Sequence, residues 1–235
     1  VSRTVRDTAA ALDALHGAEP GELYVAPAPA RPYADELERP FERPLRIGLM
    51  PSLVEPVDGF VVDAECTKAV EAAGALLESL GHTVEVASPP GLIDGRAIEH
   101  MTRVRAARVA AVSLRNPMTG GWFGEDDVEP YSWAFTRLAA EVPLEQYIIS
   151  TEWQQVWSAR IARWWEVDGW DVLVTPATGR TPLTLAEMAA PDDDPLAIMD
   201  RFQSVRGFAA PLNVTGQPAI SLPLHWTPEG LPVGV

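Results

Sequence analysis

Four histidines, His16, His82, His100 and His225, are the first residues to test for metal or proton-transfer chemistry. They lie far apart, and none stands at a metal-ligand spacing from another histidine, a cysteine or a carboxylate, so no metal is expected. His82 follows Gly81 at the end of a helical pattern and reads as a turn residue. Ser221 and His225 suggest a nucleophile and its base, but Ser221 lacks the Gly-x-Ser-x-Gly elbow that exposes such a serine on a strained turn. The segment PSLVEPVDG after the first buried-type strand has no closely spaced glycines to cradle a phosphate. Lys68, the only lysine, falls in mid-helix and reads as solvated. Asp192, Asp193 and Asp194 read as a solvated turn between prolines. Taken by themselves, these residues supply a scaffold and no catalytic constellation.

Composition narrows the partners. Over 235 residues, 18 Lys and Arg stand against 33 Asp and Glu, a net charge of −15. A polyanion of that size repels phosphate backbones and anionic lipid surfaces, so neither nucleic acid nor membrane is expected as a partner. Cys66 is the only cysteine, which excludes an internal disulfide and fits a reducing compartment. No stretch approaches the roughly 20 apolar residues of a membrane span, and the N-terminus lacks a signal-peptide layout. The expectation is a soluble, cytoplasmic protein. The chain opens on Val1 and stops inside an apolar run at Val235, which reads as a processed or partial product.

The elements that must position any site follow from periodicity. Thr4 with Asp7 three residues on is a capping-box variant, and Val5, Ala9, Leu12 and Leu15 recur at helical spacing, which predicts a helix to residue 16. Residues 18–44 are proline-rich and aperiodic, an extended connection. Residues 45–50 (LRIGLM) and 83–86 predict strands around a helix over 62–80, whose stripe is Val62, Cys66, Ala69, Ala73, Leu76 and Leu80. Such a unit implies parallel strands. Two further helices are predicted over 93–114 and 144–165, separated by an irregular loop containing Trp122 and Phe123. Ile149, Trp153, Val156, Trp157, Ile161 and Trp164 share one helical face, read as core rather than as a stacking platform. Strands are also predicted at 171–175, 219–224 and 231–235. The fold class is α/β with a mixed sheet.

The tail FAAPLNVTGQPAISLPLHWTPEGLPVGV resembles the C-terminal signature of the amidase signature hydrolases. The match uses Phe208, Pro211, Asn213, Gly216, Pro218 and Ala219, then Gly230, Leu231, Pro232, Val233 and Gly234. SRTVRDTAAALDAL, RIGLM with AVEAAGALLESLGHTVEVASPP, and WDVLVTPAT agree with other family segments in order and rough spacing. The resemblance implies the family's sheet sandwiched by helices, over a single domain 1–235 comprising helix 1–17, connection 18–44 and lobe 45–235. It implies cofactor-free hydrolysis of a small linear or cyclic amide by a Ser–cis-Ser–Lys triad, with backbone N–H groups holding the oxyanion. No Gly/Ser-rich double-serine run is present, and Lys68 matches no catalytic position, so the chain corresponds to the C-terminal half of such an enzyme.

Within that half, Asn213 and Thr215 can present fixed hydrogen-bonding groups and Phe208 an apolar wall, a mixture suited to an amide pocket. An Asn in a Pro- and Gly-rich turn can equally bond only to its own backbone. Trp122 reads either as part of a substrate gate or as a loop anchor. Thr175 and Thr178 flank Pro176 at a strand end, where family enzymes approach the pocket. A small-molecule amide is the implied partner, with a homodimer as the assembly left open. Two alternatives stand beside the hydrolase: a non-catalytic scaffold or binding remnant, and the A-type subunit of a glutamine-dependent amidotransferase.

Overall fold

A computed structural model describes residues 2–22, 24–53, 57, 60–113, 120–189, 191 and 194–235. The chain divides into two compact units, Val1–Pro44 and Leu45–Val235. In the first, α1 (Val5–Leu15) is capped by Thr4, whose hydroxyl accepts from the Asp7 N–H at 3.0 Å. Only Ala9 of its predicted stripe is buried; Val5, Leu12 and Leu15 are exposed. The connection after it carries one helical turn, α2 (Tyr33–Glu36). The Asp13 carboxylate accepts from the N–H groups of Tyr33 and Ala34 at 2.6 and 3.0 Å, which satisfies the orphan donors of that turn.

The second unit is built on a parallel three-stranded sheet of β1 (Arg46–Leu49), β2 (Thr83–Val86) and β3 (Val172–Val174), in the order β2-β1-β3. Ile47 pairs with Val84 on one side and Val172 on the other. Side chains alternate across a strand, and β1 shows the consequence. Leu49 meets α3 (Ala64–Ser79) at Gly74, where an added Cβ would stand 3.0 Å from Leu49 Cδ2. The opposite face at Gly48 receives Trp164 of α6 (Leu144–Glu166), and a Cβ there would come within 2.6 Å of the indole. Two close approaches, each made by an absent side chain, thus set the helix–sheet–helix layering. Trp164 stacks on Trp170 at 4.8 Å, and the Arg46 guanidinium lies 3.8 Å over Trp170.

The stripe predicted for α3 is buried at Cys66, Ala69 and Ala73, but Leu76 and Leu80 emerge into solvent near its C-terminus. On α6 the core reading of the tryptophans holds for Trp157 and Trp164, both buried, whereas Ile149 and Val156 are exposed. The Trp157 indole N–H donates to the Gly91 carbonyl at 2.8 Å. Helix α4 (Gly95–Arg108), capped by Asp94, packs against α6 and runs into a π-helical turn at Val109–Ser113; Leu114 lies outside the described residues. After a 3-10 turn at Glu125–Asp127 comes α5 (Pro130–Ala140), a helix that the sequence pattern does not predict. Proline at its first position and Phe135 at its buried centre are the local reasons it forms.

The C-terminal region departs most from expectation. Following a short α7 (Leu185–Met188), residues 208–219 are not a turn: α8 (Ile198–Arg206) leads into α9 (Ala209–Thr215), which Gly216 ends in the left-handed region. Residues 219–224 form no regular strand, since Pro223 removes a ladder donor. Leu222 still exchanges two backbone hydrogen bonds with Val235, at 2.8 and 2.9 Å. Between these ends, β4 (His225–Trp226) and β5 (Pro232–Val233) form an antiparallel hairpin separate from the parallel sheet. The fold class remains α/β.

Candidate active site

In α/β sheets ligands gather beyond the carboxyl ends of parallel strands. Here β1 runs out through Met50, whose N–H donates to Val174 O at 2.9 Å, and β3 runs out through Thr175, Pro176, Ala177 and Thr178. The β3 extension is held from three directions. Ala177 donates to Gly234 O at 2.9 Å, which fixes the hairpin to the strand end. Gly179 donates to Ser204 O on α8 and accepts from the Asp63 N–H, both at 2.8 Å. The Asp63 carboxylate accepts from Thr181 N and Oγ1 at 3.0 and 3.1 Å and from Arg180 Nε at 3.2 Å. The buried Ser204 hydroxyl accepts from Val61 N–H at 2.8 Å.

These bonds make a tight rim without room for side chains at its glycines. A Cβ at Gly179 would lie 2.5 Å from Ser204 O, and one at Gly207 would overlap the Phe60 ring. Phe60 meets Phe208 edge to face at 5.4 Å. Phe208 is buried in the cluster of Met50, Leu92, Ala97, Trp157 and Ile161, so it belongs to the floor of this region.

The residues singled out from sequence fall on different parts of this arrangement. Thr175 stands at the β3 exit, its hydroxyl donating to Pro176 O at 2.9 Å. Thr215 lies in the last turn of α9, donating to Pro211 O at 3.2 Å and touching Gln217 Oε1. Asn213 is exposed on the same helix, whose Leu212 and Val214 pack on the Phe208 cluster. Its amide makes no hydrogen bond to a described residue, so it is not consumed by its own backbone. Trp122 is 68% exposed, and among the described residues no ring contact or hydrogen bond joins it to the β3 rim. Asp63, Arg180, Thr181 and Ser204 were not singled out from sequence. For Arg180 and Thr181 the hint was polar residues closely following the Thr-Pro strand end; Asp63 and Ser204 carried none.

Other candidate groups have structural partners. The His82 ring accepts from Leu45 N–H at 3.2 Å. His225 bonds Glu65 at 2.9 Å, and Lys68 pairs with the other oxygen of Glu65 at 2.7 Å while remaining largely exposed. These two hydrogen bonds, His225 first, hold the Glu65 carboxyl below its ordinary range. Cys66 is fully buried, and burial pushes its thiol up to about 11, with the charge of Asp63 adding to the rise. A thiol so protonated is a poor nucleophile. Asp192 and Asp193 lie outside the described residues; the Asp194 carboxylate caps the Leu196 N–H at 3.2 Å.

This architecture and this rim place the protein in a class: the chain belongs to the Amidase family, whose model matches residues 1–235. Among its relatives, the 6-aminohexanoate-cyclic-dimer hydrolase of Pseudomonas sp. is 35% identical over 242 residues, covering 100% of this chain and 48% of the relative. The A-type subunit of the glutamyl-tRNA(Gln) amidotransferase of Picosynechococcus sp. is 27% identical over 264 residues, covering 100% of this chain and 50% of that protein. The solved structure of a 6-aminohexanoate cyclic dimer hydrolase complexed with substrate superposes with a TM-score of 0.87 at 32% identity, over 99% of this chain and 49% of the other. The chain spans about half the length of the curated relatives it matches.

Proposed function

We propose that this chain forms the substrate-side half of an amide hydrolase acting on a small linear or cyclic amide, with a Ser–cis-Ser–Lys triad supplied by residues outside these 235. The observation that carries the reading is the close superposition on a 6-aminohexanoate cyclic dimer hydrolase across 99% of the chain. The geometry supports it in that hydrogen bonds tie down the rim at the β3 exit and the Phe208 floor is apolar; in this reading Thr175 and Asn213 supply polar groups to the substrate. The amidotransferase reading is weaker, because those relatives are more distant in sequence. The protein acts in the cytoplasm, where the lone buried thiol of Cys66 stays reduced. Among the described residues no helix is long and apolar enough to cross a membrane.

In this reading the chain's own residues bind and orient, and exclude water behind Phe60 and Phe208. The test uses a serine-directed fluorophosphonate. The full-length protein is expected to be labelled and to release amine from linear and cyclic amides. The isolated 235 residues are expected to do neither, and labelling of that chain alone would overturn the assignment of the nucleophile.

A further inference from the structure

Helices α4, α5 and α8 bring two guanidinium groups together, and among the described residues no carboxylate pairs with either. Arg105 of α4 donates to the Tyr131 hydroxyl of α5 at 2.7 Å. Arg206, the last residue of α8, interacts electrostatically with the same tyrosine. Aromatic faces wall the group: the Arg105 guanidinium lies 4.4 Å over Phe135 and that of Arg206 5.6 Å over Phe202. Tyr131 stacks on Phe135 at 5.9 Å and meets Phe202 edge-on at 6.0 Å. Both arginines are half-buried.

Among the described residues neither arginine forms an ion pair with Asp or Glu. That is unusual in a chain with 33 acidic residues, because half-buried cations are normally matched. Burial first, and the charge of Arg105 second, lower the Arg206 pKa, so the pair repels itself as it stands. Tyr131 accepts from Arg105, and among the described residues its own O–H has no acceptor, so it can donate to a ligand. Two planar forks, one hydroxyl donor and aromatic walls describe a receptor for a planar anion with an apolar body.

We propose that Arg105, Arg206 and Tyr131 form a binding site for the carboxylate of a small apolar acid. Arg206 is followed by Gly207 and Phe208, so the site adjoins the floor of the candidate active site. Amide hydrolysis leaves a carboxylate, and the site would select substrates or products carrying one; that link rests on the hydrolase reading, whereas the binding itself does not.

Calorimetric titration of the full-length protein with hexanoate tests it without reference to turnover. Saturable binding is expected, weakened at least about tenfold by Arg105→Met or Arg206→Met and clearly reduced by Tyr131→Phe. The control Arg96→Met, at an exposed residue paired with Asp94, should leave it unchanged. Should the methionine variants lose their native circular dichroism, Arg206→Lys and Tyr131→Phe carry the test, since they keep the charge and the ring. No binding of hexanoate, affinity unchanged in the variants that fold, or tighter binding of inorganic phosphate than of hexanoate would overturn the proposal.

Discussion

Asp63 occupies the N-cap of α3, yet its carboxylate turns away from that helix to accept both the N–H and the hydroxyl of Thr181. A capping aspartate ordinarily satisfies its own helix, a contribution of about 1 kcal/mol. Here that bond is forgone, and the side chain pins the segment after β3 to the start of α3. The helix that covers one face of the sheet and the loop that leaves it are therefore a single mechanical unit.

Removing the carboxylate by Asp63→Ala should lower the unfolding free energy by about 2 kcal/mol, since it leaves Thr181 and Arg180 donors without their acceptor. Asp63→Asn keeps an oxygen for Thr181 and loses only the ion pair with Arg180, so about half that loss is expected. Urea unfolding should show the midpoint moving with the slope unchanged. Equal losses in both variants would mean that charge, not the Thr181 bonds, matters.

Gly207 makes a steric prediction at the other side of the rim. Any Cβ there meets the Phe60 ring, so Gly207→Ala should destabilise by about 1–3 kcal/mol through overpacking. Shortening the ring relieves it. In the double variant Gly207→Ala with Phe60→Ala, the combined loss should be smaller than the sum of the two single losses, a coupling that a double-mutant cycle reads directly.

How far these features were legible from sequence depends on whether they were local. The β1–α3–β2 unit, the Thr4 cap, the α6 tryptophans and the Thr-Pro strand end all followed from periodicity and capping chemistry within one segment. Residues 208–219 misled because Pro211 and Gly216 look like turn punctuation. Pro211 instead falls early in α9, where its missing N–H costs little, and Gly216 is the left-handed C-cap. The Asp63–Thr181 and Ser204–Val61 bonds span 118 and 143 residues, distances over which no single-sequence pattern reports a contact. Arg105, Tyr131 and Arg206 were invisible for the same reason.

His100 gives a pH dependence whose sign can be worked out. Its ring stacks on Trp153 at 4.5 Å and bonds the buried Ser150 hydroxyl at 3.0 Å. Burial, then the charge of Arg103, lowers its pKa below the ordinary 6.5. The unfolded chain therefore takes up a proton before the folded one does. Stability is full above the unfolded value and is lost as pH falls through the folded one. The depressed Glu65 carboxyl adds a second loss of the same sign at lower pH, below its ordinary 4.5. Melting temperatures measured across pH 7 to 5 should fall in the wild type, and the fall should flatten in His100→Phe; a slope unchanged by the substitution would assign it elsewhere.

Asn213 and Phe208 separate binding from packing. Phe208 is 1% exposed in the core, so Phe208→Ala should cost about 3–5 kcal/mol of stability, and any loss of activity in it is confounded by unfolding. Asn213 is exposed on α9 and bonds no described residue, so Asn213→Ala should change stability by no more than about 0.5 kcal/mol. If its amide contacts the substrate as proposed, kcat/KM of the full-length enzyme should nonetheless drop by about tenfold, the value of one hydrogen bond in a partly desolvated site. Asn213→Gln, which keeps the amide one methylene further out, should recover part of the loss, because a bond to substrate tolerates small displacement better than deletion. An Asn213→Ala enzyme with unaltered kcat/KM on every amide tested would remove Asn213 from the pocket and leave Thr175, at the β3 exit, as its nearest polar candidate.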